Sequence, residues 1–282
     1  MTFTLRPYQR RAADAILAHV RASTEPCLIE AATGAGKSLV IAEIAHTIHS
    51  ISGGKHILCL APSAELVVQN REKYLMTGEP AGLFSASAGG RSMRHPVVFG
   101  TPGTVKNAIS RFGNKFAAVI LDECHGITPT IKAIIDAMRD HNPNLRVIGL
   151  TATPYRLGEG YIYRIGPDEK PNHDGTILDP YFLKCVDKIT AHELIGQEFL
   201  TPPVIGAPMS EGYDTSSLKL NARHQFNADD VDAAFVGYGR KTSAIVADIV
   251  EQSRSRMGVR LFAATVQHAG DVMASLPPHL SA

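Results

Sequence analysis

The sequence contains no tryptophan and only four cysteines, and neither sign of charge is in surplus: 28 Lys and Arg stand against 27 Asp and Glu, a net charge of +1. The near-neutral balance excludes a whole-protein field that would attract a polyanion, so any such partner must be held by a local groove. Cys27, Cys59, Cys124 and Cys185 are far apart and form no C-x-x-C pair, which argues against a zinc site or a disulfide framework. Three of the four sit in or beside apolar runs, where a reduced packing cysteine is the default. No apolar run reaches 18 residues, and the opening MTFTLRPYQRRAADAIL has a helical period with no signal-type apolar core. These features predict a cytoplasmic protein with no membrane partner.

What is present is an alternation. Apolar, β-branched runs at Cys27–Glu30, His56–Ala61, Pro96–Gly100, Ala117–Leu121 and Arg146–Leu150 read as strands. Helical patterns lie between them at about 37–49, 63–75, 102–112 and 129–140. Nearly continuous apolar strands separated by helices predict a parallel sheet covered on both faces. Such open α/β sheets bind ligands at the carboxyl ends of their strands.

Beyond Pro154, the glycines and prolines of about 157–180 read as an irregular excursion. A short helix and a strand near Pro203–Ile205 are expected to follow, then a long helix at about 229–255, a strand at Met257–Ala264 and a helix from Val266. The expected organisation is a first domain over 1–185, a connecting strand and helices over 186–256, and the opening of a second sheet domain over 257–282.

Two elements carry chemistry. After the strand Cys27–Glu30 comes Ala31-Ala32-Thr33-Gly34-Ala35-Gly36-Lys37-Ser38, a P-loop with alanine at the first glycine position. Gly34 and Gly36 let successive N–H groups curl toward an anion, and the following helix N-terminus adds partial positive charge. Lys37 is expected on the β- and γ-phosphates of ATP, and the Ser38 hydroxyl on Mg²⁺. The strand Ala117–Leu121 delivers Asp122-Glu123-Cys124-His125. Phosphoryl transfer needs a carboxylate for the metal, assigned to Asp122, and a group to orient water, assigned to Glu123.

Taken with their neighbours, these segments resemble the superfamily-2 helicases of DEAD/DEAH type. Ala32–Ser38 resembles motif I, Asp122–His125 motif II in a DECH form, and Thr151-Ala152-Thr153 motif III. Leu5-Arg6-Pro7-Tyr8-Gln9 resembles the adenine-reading element, Ala61-Pro62-Ser63 with Glu65, Leu66 and Gln69 motif Ia, Gly100–Thr104 the Ib region, and Phe262–Thr265 with His268 motif IV. The combination, in this order and after successive strands, is far more specific than any member alone. It is more closely similar to the RadD-like bacterial DNA-repair ATPases through Leu5–Gln9, Thr151–Gly160 and Phe262–Ala269.

The resemblance implies a RecA-like domain with the beginning of a second, and Mg-ATP held by Thr33, Gly34, Ala35, Gly36, Lys37 and Ser38. It implies Gln9 and Arg6 on the base, and His125 with Thr151 and Thr153 coupling nucleotide state to movement. Ser63, Thr101 and Thr104 would meet a nucleic-acid backbone, DNA being favoured over RNA. Arg91, Arg94 and His95 form a possible second contact, and Tyr155, Tyr161 and Tyr163 are candidate base-stacking or packing residues. The arginine finger, a zinc region and any repair-protein contact would belong to parts of such proteins that follow residue 282, so hydrolysis by these residues alone is expected to be slow. Three other readings remain open: a small-molecule phosphotransferase, a nucleotide-switched interaction domain, and a duplex translocase that does not separate strands.

Overall fold

The computed structural model describes residues 3–156, 160–172, 179–203, 212–221 and 226–280. Its residues group into two compact units, Met1–Thr201 and Pro202–Ala282.

In the first unit, α1 (Pro7–Ala22) precedes β1 (Cys27–Ala31), α2 (Lys37–Ile51), β2 (His56–Leu60), α3 (Ala64–Leu75), β3 (Gly82–Ser85), β4 (Gly90–Arg91), β5 (Val97–Gly100) and α4 (Pro102–Lys106). Then come β6 (Phe116–Asp122), α5 (Pro129–His141), β7 (Arg146–Thr151), β8 (Tyr155–Arg156), β9 (Gly160–Tyr161), β10 (Tyr163–Ile165), β11 (Phe182–Ile189) and α6 (Ala191–Gly196). Among the described residues, nine strands form one sheet in the order β10-β11-β1-β7-β6-β2-β5-β3-β4, parallel except where β4 pairs with β3. β8 and β9 form a separate antiparallel pair.

Strand alternation builds the two faces of this sheet. Cys27 and Ile29 of β1, Ile57 and Cys59 of β2, and Ala118 and Ile120 of β6 join one core cluster with α1 and α2. Leu28, Leu58, Val119 and Leu121 point the other way, into a cluster with Ile134, Ile135 and Met138 of α5. Both faces are covered, which is why the strands read as unbroken apolar runs. The fold is α/β, a RecA-like parallel sheet between helical layers.

The parallel order positions the site. β7 lies between β1 and β6, with Glu30 opposite Thr151 and Asp122 opposite Leu150. The loops that leave these three strands therefore share one edge of the sheet.

Several expectations are corrected. Residue 185, expected as a domain edge, lies in the middle of β11, which pairs on one side with β1 and on the other with β10. Ending the domain there would strip β1 of a neighbour. The helix expected over 102–112 stops at Lys106 and resumes as a 3₁₀ turn at Ile109–Arg111. Part of the 157–180 excursion is ordered as β9 and β10, while 157–159 and 173–178 lie outside the described residues, as do 204 and 205 of the strand expected at Pro203–Ile205.

In the second unit the helix expected at 229–255 is two helices, α7 (Ala228–Phe235) and α8 (Gly239–Gln252), separated at Gly237 with φ +83°. Met257–Ala264 forms no strand. Its apolar side chains have no neighbouring strand among the described residues, and Met257 and Phe262 are exposed. The helix from Val266 is present as α9 (Val266–Ala274). Here the Tyr213 hydroxyl meets Thr242 Oγ1 at 2.7 Å and His268 Nε2 at 3.0 Å, within the packing of α8 and α9.

Candidate nucleotide site and neighbouring cleft

The P-loop leaves β1 and enters α2 through two left-handed glycines, Gly34 at φ +88° and Gly36 at φ +76°. Both are required by their surroundings as well as by φ. A Cβ on Gly36 would lie 2.4 Å from Gln9 Nε2, and one on Gly34 would lie 2.8 Å from Leu200 Cδ2. Thr33 is exposed on this loop, while Ala35 is buried beneath it. Lys37 opens α2 and its side chain crosses the sheet edge, placing Nζ 3.0 Å from Glu123 Oε1. The two loops meet at one point through residues 86 positions apart in sequence.

Glu123 holds this position through an unusual backbone, φ +51° and ψ +49°, the left-handed region that costs a non-glycine residue energy and persists where the surroundings enforce it. Its other carboxylate oxygen faces His125 Nδ1 at 3.3 Å. The same His125 nitrogen is 3.0 Å from Thr151 Oγ1, and that hydroxyl also accepts from the Thr153 N–H at 3.1 Å. A continuous chain of polar contacts thus runs from Lys37 through Glu123 and His125 to Thr151 at the end of β7.

Asp122 is 7% exposed and doubly oriented: Oδ2 accepts from Asn70 Nδ2 at 2.7 Å, and Oδ1 accepts from the Glu123 N–H at 3.0 Å. Burial pushes its carboxyl above the usual aspartate value, against the pull of the Asn70 bond. Ser38 Oγ accepts from Gln69 Nε2 at 3.5 Å. Asn70 belongs to none of the sequence motifs and directly follows Gln69 of the Ia-like segment. Its signal is a polar residue within the buried stripe of α3, between Val67 and Tyr74. Cys124 is buried and its thiol is pushed well up by burial, so it packs the turn and offers no thiolate.

At the other end of the P-loop, Gln9 is 3% exposed; its Nε2 donates to the Ala35 carbonyl at 2.8 Å and its Oε1 accepts from the Arg6 N–H at 3.0 Å. Each amide end keeps one free valence, an N–H on one side and a lone pair on the other. The Arg6 guanidinium lies 4.2 Å from the centre of the Phe199 ring. Arg156, inside the Thr151–Gly160 stretch, donates to the carbonyls of His125 at 3.4 Å and Ile127 at 3.2 Å, tying β8 to the Asp-Glu-Cys-His turn.

Beside Asp122 and Glu123 opens a cleft of about 950 Å³, bordered by Ser63, Thr104, Arg91, Arg111 and His125. Ser63 caps α3, accepting from the Leu66 N–H at 3.3 Å. Thr104 accepts from the Ala86 N–H at 3.0 Å. Thr101 also lines the cleft, but it is only 9% exposed and its hydroxyl bonds Ser85 at 3.2 Å and Thr104 at 3.1 Å, so it is committed to internal packing. Arg94 and His95 do not border the cleft. Tyr155 is exposed, whereas Tyr163 is 2% exposed and belongs to the core.

All four cysteines are buried and free. No helix among the described residues is long and apolar enough to cross a membrane.

No curated protein matches the chain. Solved structures with similarity include the UvsW helicase from bacteriophage T4, at 24% identity over 54% of this chain and 54% of that one, with a TM-score of 0.44. The Hef helicase domain of Pyrococcus furiosus matches at 25% identity over 54% of this chain and 33% of that one, TM-score 0.43. The Sulfolobus solfataricus SWI2/SNF2 ATPase core, determined in complex with dsDNA, matches at 18% identity over 55% of this chain and 33% of that one, TM-score 0.44. The chain spans about half, or less, of the length of these proteins. Residues 2–156, more than half of the chain, match the family described as Type III restriction enzyme, res subunit, and with its helicase-type motifs after successive parallel strands the chain belongs to that family.

Proposed function

We propose that this chain forms the nucleotide-binding part of an ATP-driven nucleic-acid motor, a helicase or translocase acting on DNA in the manner of the RadD-like repair ATPases. The observation that carries this reading is the 3.0 Å approach of Lys37 Nζ to Glu123, which brings the P-loop and the Asp-Glu-Cys-His turn to a single point on one sheet edge.

On this reading the P-loop from Thr33 to Ser38 wraps the phosphates, and Lys37 exchanges its bond to Glu123 for the β- and γ-phosphate oxygens. Glu123, so released, orients the attacking water and takes its proton. With its left-handed backbone, its carboxylate reaches the P-loop lysine. His125 and Thr151 sense which partner Glu123 holds, and Thr153, bonded to Thr151, lies at the start of the chain leading to β8.

Mg²⁺ suits the residues present. Ser38 and Asp122 are hard oxygen donors, and each Asp122 oxygen has made one internal bond and keeps acceptor capacity toward the loop. Mg²⁺ commonly takes one or two protein ligands and completes its shell with phosphate and water. When bound, the ion neutralises charge developing on the phosphates. Asp122 and Ser38 fix where that charge compensation sits.

The cleft beside Glu123 is the proposed path of the nucleic-acid backbone. Ser63, Thr104 and the helix ends they occupy, with Arg91 and Arg111, are phosphate partners that carry no sequence information. Residues 257–282 are proposed as the opening of a second domain, whose closure over the nucleotide would complete the site.

The test is ATP hydrolysis by the longest available form of the protein, with and without single-stranded DNA, duplex DNA and RNA. Stimulation by DNA is expected. Lys37→Ala should abolish turnover, and Glu123→Gln should lower it by about 10²–10⁴-fold while ATP still binds. Polymer-independent phosphotransfer to a small acceptor would reject the reading.

A further inference from the structure

The chain beyond α6 does not leave the P-loop. It folds back over it. Glu198 takes a left-handed backbone, φ +61°, and the N–H groups of Phe199 and Leu200 both donate to the Leu194 carbonyl, at 2.8 and 3.1 Å. Leu200 is thereby seated on Gly34, with Cδ2 filling the space a Cβ would occupy there. This contact fixes the neighbouring residue, Phe199, at the adenine-reading end of the loop. Its ring carries the Arg6 guanidinium on one face at 4.2 Å and meets the edge of the buried Tyr8 ring at 5.3 Å and 61°. It is nonetheless 36% exposed, and Arg6 is an exposed side chain whose Nη1 donates to the Tyr8 hydroxyl at 3.2 Å. An aromatic ring held by backbone and packed at its edge, with its accessible face covered by a solvent-exposed cation that one neutral hydroxyl holds, is a stacking platform whose cover can be exchanged.

We propose that Phe199 is the base-stacking residue of the nucleotide site: the purine displaces the Arg6 guanidinium from the ring face, and the guanidinium then closes on the opposite side of the base. Phe199 supplies stacking, which any base satisfies, and Gln9 supplies the edge contacts through its two free valences. The inference rests on the P-loop reading of Lys37. It adds that the base pocket is completed by a segment more than 160 positions downstream, at the boundary of the first unit.

Calorimetric titration with Mg-ATP and with inorganic tripolyphosphate separates the two readings. Phe199→Ala should weaken ATP about tenfold and leave tripolyphosphate unchanged. Phe199→Trp should keep ATP affinity and, because the chain has no other tryptophan, give an emission that ATP quenches and tripolyphosphate does not. ATP affinity unchanged in Phe199→Ala, while Lys37→Ala loses both ligands, would overturn the stacking role and leave the P-loop reading intact. Equal loss of both ligands in Phe199→Ala would also overturn it, showing a residue that only props the loop. Failure of the unaltered protein to bind either ligand, or of Lys37→Ala to weaken them, would remove the P-loop reading and this inference together.

Discussion

Asp122 faces opposed demands. The proposed Mg²⁺ requires its charge, and its burial resists that charge. The Asn70 bond at 2.7 Å is the main local feature favouring the ionised form, so Asn70 acts on the site through Asp122. Partners that orient a metal's ligand typically contribute 10–100-fold to metal affinity, and about that loss is expected in Mg-ATP binding for Asn70→Leu. The pH dependence has a definite sign. Because the folded carboxyl titrates above an ordinary aspartate, Mg-ATP binding should fall on the acid side at a higher pH than a solvated aspartate would dictate. Without Asn70 that acid limb should move higher still. Titrations of the two proteins across pH check both statements, and coincident limbs would show that Asn70 merely packs. The same shift means the ionised carboxylate costs stability at neutral pH, a cost relieved as the proton binds. Asp122→Asn should therefore melt at or above the unaltered protein in a thermal scan while losing its stabilisation by Mg-ATP; a clearly lower melting temperature would count against this account.

At the scale of elements, the site is a consequence of strand order, and Gly149 is where that order is most sensitive. It sits on β7, and a Cβ there would lie 2.6 Å from Cys124 Sγ and 2.7 Å from Phe182 Cζ, one on the turn that carries Glu123 and the other on β11. Neither is the loose end of a long side chain. Gly149→Ala is expected to cost about 1–3 kcal/mol by overpacking, with reduced turnover because the turn is displaced; adding Cys124→Ala should recover part of the loss in a thermal melt. An unchanged melting temperature for the single variant would contradict this. The sequence shows β1, β2, β5, β6 and β7 clearly, because strands covered on both faces are unbroken apolar runs, and the chemistry-bearing loops follow from their ends. It shows β11 poorly: FLKCVDKI interleaves Lys184, Asp187 and Lys188 with apolar residues, as suits a strand near the sheet's margin. Asn70 and Phe199 belong to no local motif and acquire meaning only through contacts 52 and about 190 positions away. Met257–Ala264 has strand composition without a paired neighbour among the described residues, and composition alone does not make a strand.

For the whole molecule, a net charge of +1 leaves no general attraction for DNA, so on the proposed reading affinity comes from the few cations at the cleft. Arg91 on β4 and Arg111 are both exposed, and Arg111 also lies over the Phe84 ring at 5.3 Å, which holds its guanidinium at the cleft wall. If these two neutralise one phosphate each, the dependence of log affinity on log salt should have a slope of about −1.8 for duplex DNA and about −1.4 for single strands. Arg91→Ala should remove close to one unit of that slope and weaken all sequences alike, because a phosphate contact reads no base. Thr104→Val, by contrast, removes a hydroxyl that also supports the Ala86 N–H. It should lower affinity without altering the slope, since no counterion is released by a neutral group. Fluorescence anisotropy over a salt series measures both. A slope several units steeper than −2, or one untouched by Arg91→Ala, would place the polymer on a different face of the molecule and detach the cleft from the motor.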